Sequence, residues 1–560
     1  MVNIPNNQRL TTPDRERVVV LGSGWAGFTV ARTLDPSKYQ ALVISPRSYF
    51  AFTPLLASTA VGTLEFRTAL EPVRSRRQKV EFIQGWADDV DFKNKTITVE
   101  EAVDDARQGV VALTTDRHAG ETPQQRSEQR KKETKTGKLF DVKYDKLVVT
   151  VGCYSQTFGT PGVKEHAFFL KDVGDARRIR NRILACFEGA ALPTTSIDMK
   201  KQLLNFAVVG GGPTGIEFSA ELHDLITEDM RRLYPDLIQY HNITVYDVAD
   251  KVLPMFDMKL ADYAMQKFKR EGINIKTSHH VEELRPGAPA ERSQSDDVDD
   301  YHLYTLKVKE EGEIGVGMCV WSKFISDAVP SRSKRLTTPL SSGTGLMQNP
   351  FVAHALSDVR EAPTNLHIPP PTTTGTSNPA TVSPPASVKW IVKKDAKSGS
   401  IITDDHLRLK LVPESSSSSS SSDNKISAIH PDVFALGDCG IIESTSYPAT
   451  AQVASQKAFW LAKRFNKGDL NSDITPTSSS PTATTTKGFT YKDLGTLAYI
   501  GNWNALFQGG GKWGGRLQGY VAWIIWRGAY FTRTVSWRNK VLVPVYWVVN
   551  WVFGRDISRF

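Results

Sequence analysis

Two stretches of this chain share one grammar: a short β-branched run, a glycine turn, then an apolar run of helical period. Residues 17–34 read RVVVLGSGWAGFTVARTL, and residues 205–222 read NFAVVGGGPTGIEFSAEL. Each is followed by a second short apolar run, ALVI at 41–44 and ITVY at 243–246. Strand, glycine turn, helix and strand make the start of a βαβ unit, so the chain is constrained to an α/β fold with two such starts. In Gly22-x-Gly24-x-x-Gly27 the first glycine permits the tight turn. The second admits a pyrophosphate to the backbone, and the third lets helix and strand pack closely. Gly210-x-Gly212-x-x-Gly215 repeats the arrangement nearly 190 residues later. Two such loops in this context predict two bound dinucleotides, a flavin and a nicotinamide.

The ends of the following strands refine this. Asp247 stands where an acid accepts hydrogen bonds from a ribose 2′-hydroxyl and repels a 2′-phosphate, which favours NADH over NADPH; its alternative is a solvated turn aspartate. The first unit lacks the acid and runs into Ser45-Pro46-Arg47. There the serine can bond a hydroxyl, and the arginine can stack on an adenine or meet a phosphate. A third element, VFALGDCG at 433–440, ends a strand in Gly437-Asp438, suited to a ribityl hydroxyl and to a helix end facing the ring.

Together these motifs resemble the two-dinucleotide-binding flavoprotein family. In finer detail they resemble the type II (alternative, non-proton-pumping) NADH:ubiquinone oxidoreductases of the fungal mitochondrial kind. The further matches are ISPRSYFAFTPLLASTAVGT at 44–63, PATAQVASQ at 448–456 and YKDLGTLAYIG at 491–501. The resemblance implies FAD in the first unit, NADH in the second, and electrons passed from flavin to ubiquinone. It places Thr53, Pro54, Gly152, Ala451 and Gln452 at the cofactors, Glu217 near the nicotinamide, and Gln452 and Gln456 where flavin meets quinone. Glu217, Gln452 and Gln456 are thus the candidate catalytic residues. The two glutamines are four apart and share one helix face, which is also what an ordinary helix shows. Disulfide reductases are disfavoured because residues 41–70 contain no cysteine. Sulfide:quinone reductases also work through cysteines, and here PATAQVASQ argues against them despite Cys153.

At 560 residues the chain exceeds one core. The expected organisation is a leader at 1–16, a first FAD-domain part at 17–195 and an NADH domain at 196–345. A second FAD-domain part follows at 346–470, then a linker at 471–487 and a membrane-association region at 488–560. Polar or low-complexity insertions are expected about 103–139, 286–300, 323–343, 361–387 and 414–425, where apolar content is too low to offset ordering entropy. The fold class is therefore α/β, two Rossmann-like domains plus a C-terminal amphipathic membrane-anchoring region.

That region follows from its aromatics. Seven of the twelve tryptophans lie after residue 500. A helix over 517–531 would put Leu517, Tyr520, Val521, Ile524, Ile525 and Phe531 on one face and Trp523, Trp526 and Tyr530 on the other. Apolar on two sides, it needs two apolar partners: the protein body and a lipid boundary. A second run, 541–553, has the same aromatic and basic character. The alternatives are a buried hairpin or a homodimer interface, and the same tail can dimerise and anchor. Neither run is long enough to span a bilayer.

The formal charge of +9 leaves nucleic acid, an anionic membrane and a phosphate-bearing cofactor as partners. The basic residues form no nucleic-acid module, so nucleic acid is disfavoured. The four cysteines have no ligand spacing, so no metal is expected and each reads as a small buried hydrophobe. No calcium-loop motif is present. The first residues make a poor transit peptide, and Ser558-Arg559-Phe560 only loosely matches a peroxisomal terminus; the resemblance implies the mitochondrial inner membrane, peripherally. The competing class is an apoptosis-inducing-factor-like NADH-dependent flavoprotein with a signalling role.

One feature breaks the pattern. The family closes its second dinucleotide domain with a strand ending in W-A-T-G or similar, near the cofactor. Here Trp321-Ser322 stops short and Thr344-Gly345 follows a segment later. Joining Ser322 to Thr344 restores the motif, so Thr344 and Gly345 are expected at the cofactor. The codons of residues 323–343 permit splice-donor and branch-point sequences. The segment is thus an unspliced intron or a genuine surface loop, which transcript sequencing across the junction separates.

Overall fold

The computed structural model describes residues 15–75, 79–103, 137–289, 303–322, 346–361, 363, 365–368, 388–414, 427–471, 487–511 and 514–559. The segment 323–343, with Thr344 and Gly345, lies outside them, as do most residues of the other expected insertions.

The first strand, Glu16–Leu21, lies between Tyr39–Ser45 and Lys146–Val149, parallel to both. Val80–Asp91 extends this parallel array on one side and Ala428–Ala435 on the other. Helices or further strands cover both faces, so these strands read as unbroken apolar runs rather than alternating ones: Val18, Val19, Val20 and Leu21 are all fully buried. Antiparallel strands complete a twelve-stranded sheet at either edge. Because the central strands are parallel, the turns after Leu21, Ser45, Val149 and Ala435 emerge at one edge, where ligands of open α/β sheets bind.

The second unit is a five-stranded parallel sheet in the order Phe168–Phe169, Met318–Trp321, Asn205–Val209, Asn242–Tyr246, Ile273–Lys276. An antiparallel meander, Val281–Pro286, Tyr304–Val308 and Gly312–Val316, packs against it through Leu284, Leu306 and Trp321. The chain returns at Leu346–Gln348, antiparallel to Cys153–Ser155 beside the first unit.

The C-terminal region begins with a three-stranded antiparallel sheet, Thr496–Tyr499, Ala505–Gln508 and Arg516–Gly519. Two helices follow, Tyr520–Arg533 and Trp537–Phe553. The helix expected from residue 517 starts at Tyr520, because Leu517 pairs with Phe507 as strand. Its two-sided character is observed: Trp523 and Trp526 are buried, while Tyr520, Val521, Ile524 and Phe531 are exposed. All four cysteines are free and buried.

Candidate cofactor sites

At the first glycine turn, Gly22 has φ +105°, a conformation L-residues rarely adopt. Its N–H donates to the carbonyl of Ile44 at 2.8 Å, holding the turn over the second strand. A Cβ on Gly27 would lie 2.0 Å from the Gly22 carbonyl oxygen, so only glycine lets this helix reach the turn. Gly24 caps the helix without any side-chain hydrogen bond, and a Cβ placed there meets nothing within 4 Å. The first N–H groups of the helix are thus left to an incoming oxyanion, and the space in front of them is open.

That space belongs to a cleft of about 1300 Å³, its open mouth included, whose residues come from the turns on the strand-end edge. It brings together Gly22, Gly24, Ser45, Arg47, Thr53, Gly152, Gly437, Asp438 and Ala451, nine residues scattered over 430 positions of sequence. Gly27 sits behind it in the helix–strand contact, and Pro54, next in the turn after Thr53, does not line it. Ser45 is buried and shares a hydroxyl contact of 3.0 Å with Ser23. Arg47 is not free to swing: its Nη1 donates to Asp172 at 2.5 Å, and the Tyr49 hydroxyl donates to the other Asp172 oxygen at 3.0 Å. The Thr53 hydroxyl accepts from the Trp25 indole at 3.1 Å. Asp438 accepts from the Cys153 thiol at 3.2 Å, a thiol that burial pushes well up and so keeps protonated. The open cradle at Gly24 and the backbone turns that line the cleft fit a dinucleotide such as FAD.

Sequence reasoning missed Asp172. It is fully buried and caps the helix Val173–Ala191 in a reciprocal capping box with Asp175. An Asp-x-x-Asp before an apolar-periodic run was the available signal.

The second turn repeats the first. Gly210 has φ +117°, and its N–H donates to the Tyr246 carbonyl at 2.8 Å. A Cβ on Gly215 would lie 2.0 Å from the Gly210 oxygen and 2.4 Å from the Ser322 hydroxyl. Gly212 caps its helix with no side-chain bond, Pro213 follows at the first helical position, and the space at Gly212 is open. Asp247 directly follows the next strand and accepts from the N–H groups of Gly211 at 2.5 Å and Ala249 at 2.9 Å. Strand Met318–Trp321 also ends here, with the Ser322 hydroxyl donating to the Gly210 carbonyl at 3.1 Å. Trp321-Ser322, the first half of the interrupted motif, therefore lies at the second cradle.

The three candidate catalytic residues lie elsewhere than the cleft lining. Gln452 and Gln456 follow Ala451 on the helix Ala451–Lys467, but helical phase puts Ala451 and Ala454 on the cleft and the glutamines on another face. Their amides are engaged with the segment before the C-terminal sheet. Gln452 accepts from the Tyr491 hydroxyl at 2.6 Å and the Leu494 N–H at 2.9 Å; Gln456 exchanges two bonds with the Lys492 backbone. In this structure the amide of Gln452 clamps residues 491–495.

Glu217 is buried, and its Oε1 accepts from the Tyr499 N–H at 3.0 Å and the Trp526 indole at 3.2 Å. Ring contacts run from this point back to the cleft wall: Trp526 to Tyr530 at 4.7 Å, Tyr530 to Phe52 at 6.2 Å, Phe52 to Trp25 at 5.3 Å. Burial pushes the Glu217 carboxyl up to about 7, against the two donated hydrogen bonds. A carboxyl raised above its unfolded value contributes stability that is present at low pH and is lost as pH rises through about 7. Glu217→Gln keeps an acceptor for both donors and cannot ionise. Its thermal midpoint should match wild type below about pH 4.5 and exceed it increasingly from about pH 5 to 7, the gap then staying constant at higher pH. A gap that does not change between about pH 5 and 7 would contradict the assignment.

The fold and the paired cradles define a two-dinucleotide oxidoreductase. Residues 16–323 match the family model for pyridine nucleotide-disulphide oxidoreductases, and residues 494–556 match the model for the NDH2 C-terminal domain. A probable NADH dehydrogenase of Dictyostelium discoideum is 33% identical over 98% of this chain and 92% of its own length. An external alternative NADH-ubiquinone oxidoreductase of Yarrowia lipolytica mitochondria is 30% identical over 100% of this chain and 83% of its own. The chain belongs to the type II NADH dehydrogenases of the pyridine nucleotide-disulphide oxidoreductase family. In fold it is similar to the Plasmodium falciparum NDH2 structure in complex with NADH, with a TM-score of 0.67 at 21% identity over 97% of this chain and 99% of that one.

Proposed function

We propose that this chain oxidises NADH at the second cradle, holds FAD in the first, and delivers electrons to ubiquinone at a membrane surface without proton pumping. The single observation that carries the reading is the pair of open, uncapped helix starts at Gly24 and Gly212, each followed three residues on by a glycine whose Cβ would force the helix off its turn. When bound, the flavin supplies hydride acceptance and two-electron release. The chain's own residues bind and orient. The helix starts face the phosphates, Asp438 and Ser45 offer acceptors in the cleft, and Asp247 favours a free ribose hydroxyl. At Glu217 both donors meet Oε1, which leaves Oε2 to carry an exchangeable proton near neutral pH.

The membrane surface is supported by the C-terminal helices. Trp537, Trp551 and Phe553 are 73%, 72% and 82% exposed and belong to a run of exposed apolar residues on the last two helices. Among the described residues no helix is long and apolar enough to cross a bilayer, so the row suits a peripheral contact. The plant and yeast relatives named as mitochondrial alternative NAD(P)H- or NADH-ubiquinone oxidoreductases support the mitochondrial inner membrane and the quinone. Their names give no support to the signalling alternative.

Removing residues 512–560 is a poor test, because it strips the partners of buried carboxylates as well as the apolar row. Replacing Trp537, Trp551 and Phe553 together by serine removes only exposed surface. Steady-state NADH:ferricyanide turnover should persist, while vesicle binding and turnover with a long-tailed quinone fall by roughly 10- to 100-fold. Equal loss with both acceptors, or no multi-turnover rate with quinone in the wild type, would overturn the reading.

A further inference from the structure

Arg527 occupies an unusual place in the exposed row. Its guanidinium carbon lies 4.2 Å from the ring centre of Trp523, one turn earlier on the same helix, and 4.2 Å from that of Trp547 on the next helix. Trp503, from the turn between the first two strands of the C-terminal sheet, stands at 5.7 Å. The clamp covers the faces of the guanidinium and leaves its in-plane edge, where all five donors lie. Among the described residues no hydrogen bond or ion pair reaches that edge, and Nε is buried without an acceptor. An enclosed arginine normally meets a carboxylate; Arg555, on the same tail, meets Asp229 and Glu228.

The surroundings say what fits. Ile524 and Phe531, three and four residues to either side on the helix, are exposed, as are Tyr520 two turns earlier and Val548 and Trp551 on the neighbouring helix. A fixed donor fork set in an exposed apolar row matches an oxyanion that arrives attached to apolar chains. We propose that Arg527, clamped by Trp523 and Trp547, is a binding site for the phosphodiester of an anionic membrane lipid. The proposal rests on the membrane-facing reading of the two helices.

The test uses the full-length holoprotein and vesicles of phosphatidylcholine, alone or with phosphatidylglycerol added, at one ionic strength. Wild type should bind the mixed vesicles more tightly. Arg527→Gln and Arg527→Lys should each lose about tenfold of that gain, lysine included because a point charge does not replace the fork. Arg533→Lys, an exposed arginine on the same helix, should keep it. Flavin content and thermal midpoint report folding, and the lysine variant, which keeps the charge between the rings, decides if the glutamine variant unfolds. Full gain retained by Arg527→Lys would reduce the effect to general surface attraction and overturn the site. Equal weakening on both vesicle types would make the clamp a brace between helices. Competition by inorganic phosphate would assign the fork to free phosphate instead of lipid. Wild type binding neither vesicle would fail the membrane reading itself, and the site with it.

Discussion

Replacing Gly27 by alanine is expected to give a protein that purifies without flavin and unfolds at lower temperature. The added Cβ would sit 2.0 Å from the Gly22 carbonyl oxygen and 2.6 Å from the Thr150 hydroxyl. Neither can yield cheaply. Gly22 is fixed by its bond to Ile44, and Thr150 donates to the Leu21 carbonyl at 2.7 Å. The helix must therefore move off the strand, which costs about 1–3 kcal/mol or more and displaces the N–H groups that face the cleft. Gly24→Ala provides the contrast. Its Cβ meets no protein atom within 4 Å, so the fold should survive while the methyl occupies the approach of a phosphate. Flavin absorbance per protein and melting of the flavin-stripped proteins should separate the two. Gly27→Ala loses flavin and melts lower, and Gly24→Ala loses flavin while its apoprotein midpoint stays nearly that of wild-type apoprotein. A flavin-replete Gly27→Ala protein would contradict the cradle geometry.

The second large effect is expected at Arg555. Its side chain is only 8% exposed, and Nη1 reaches Asp229 at 2.5 Å and Glu228 at 2.8 Å. Nε donates to the Thr63 hydroxyl, which donates in turn to Glu221 at 2.8 Å, while the Ser58 hydroxyl takes the other Glu221 oxygen at 2.6 Å. One guanidinium thus ties the C-terminal tail to the first unit at Thr63 and to the helix of the second glycine turn. Removing one partner of a buried ion pair leaves the other charged and unpaired, at about 3–5 kcal/mol. Arg555→Ala should lower the urea midpoint accordingly, and adding Asp229→Asn should recover part of the loss by removing the stranded charge. An Arg555→Ala protein as stable as wild type would mean that the contact is no more than a surface pair.

Much of the core site was legible because it is local. Gly22, Gly24 and Gly27 constrain one another within six residues, and the same holds at Gly210, Gly212 and Gly215; close backbone packing leaves a periodic glycine signature. Asp247 and Gly437-Asp438 were legible as strand ends, since a parallel sheet places all its strand ends on one edge. Gln452 and Gln456 show the limit. Their spacing states that they share a face, and only the packing of residues 491–495 decides what that face meets. Arg47 lines the cleft, and only the tertiary structure shows that the buried Asp172, 125 residues away, holds its guanidinium.

The sequence by itself determined two βαβ starts, their dinucleotide chemistry, and a tail apolar on two sides. These rest on backbone conformation and period, which neighbours in sequence dictate. Only the tertiary structure decided that Glu217, Glu221, Asp224 and Asp229 form one buried face under the tail, met by Tyr499, Trp526 and Arg555. A carboxylate's helical period reads as a solvated face until something covers it. Burial and pairing are properties of segments about 300 residues apart, set by which surfaces meet when the chain folds.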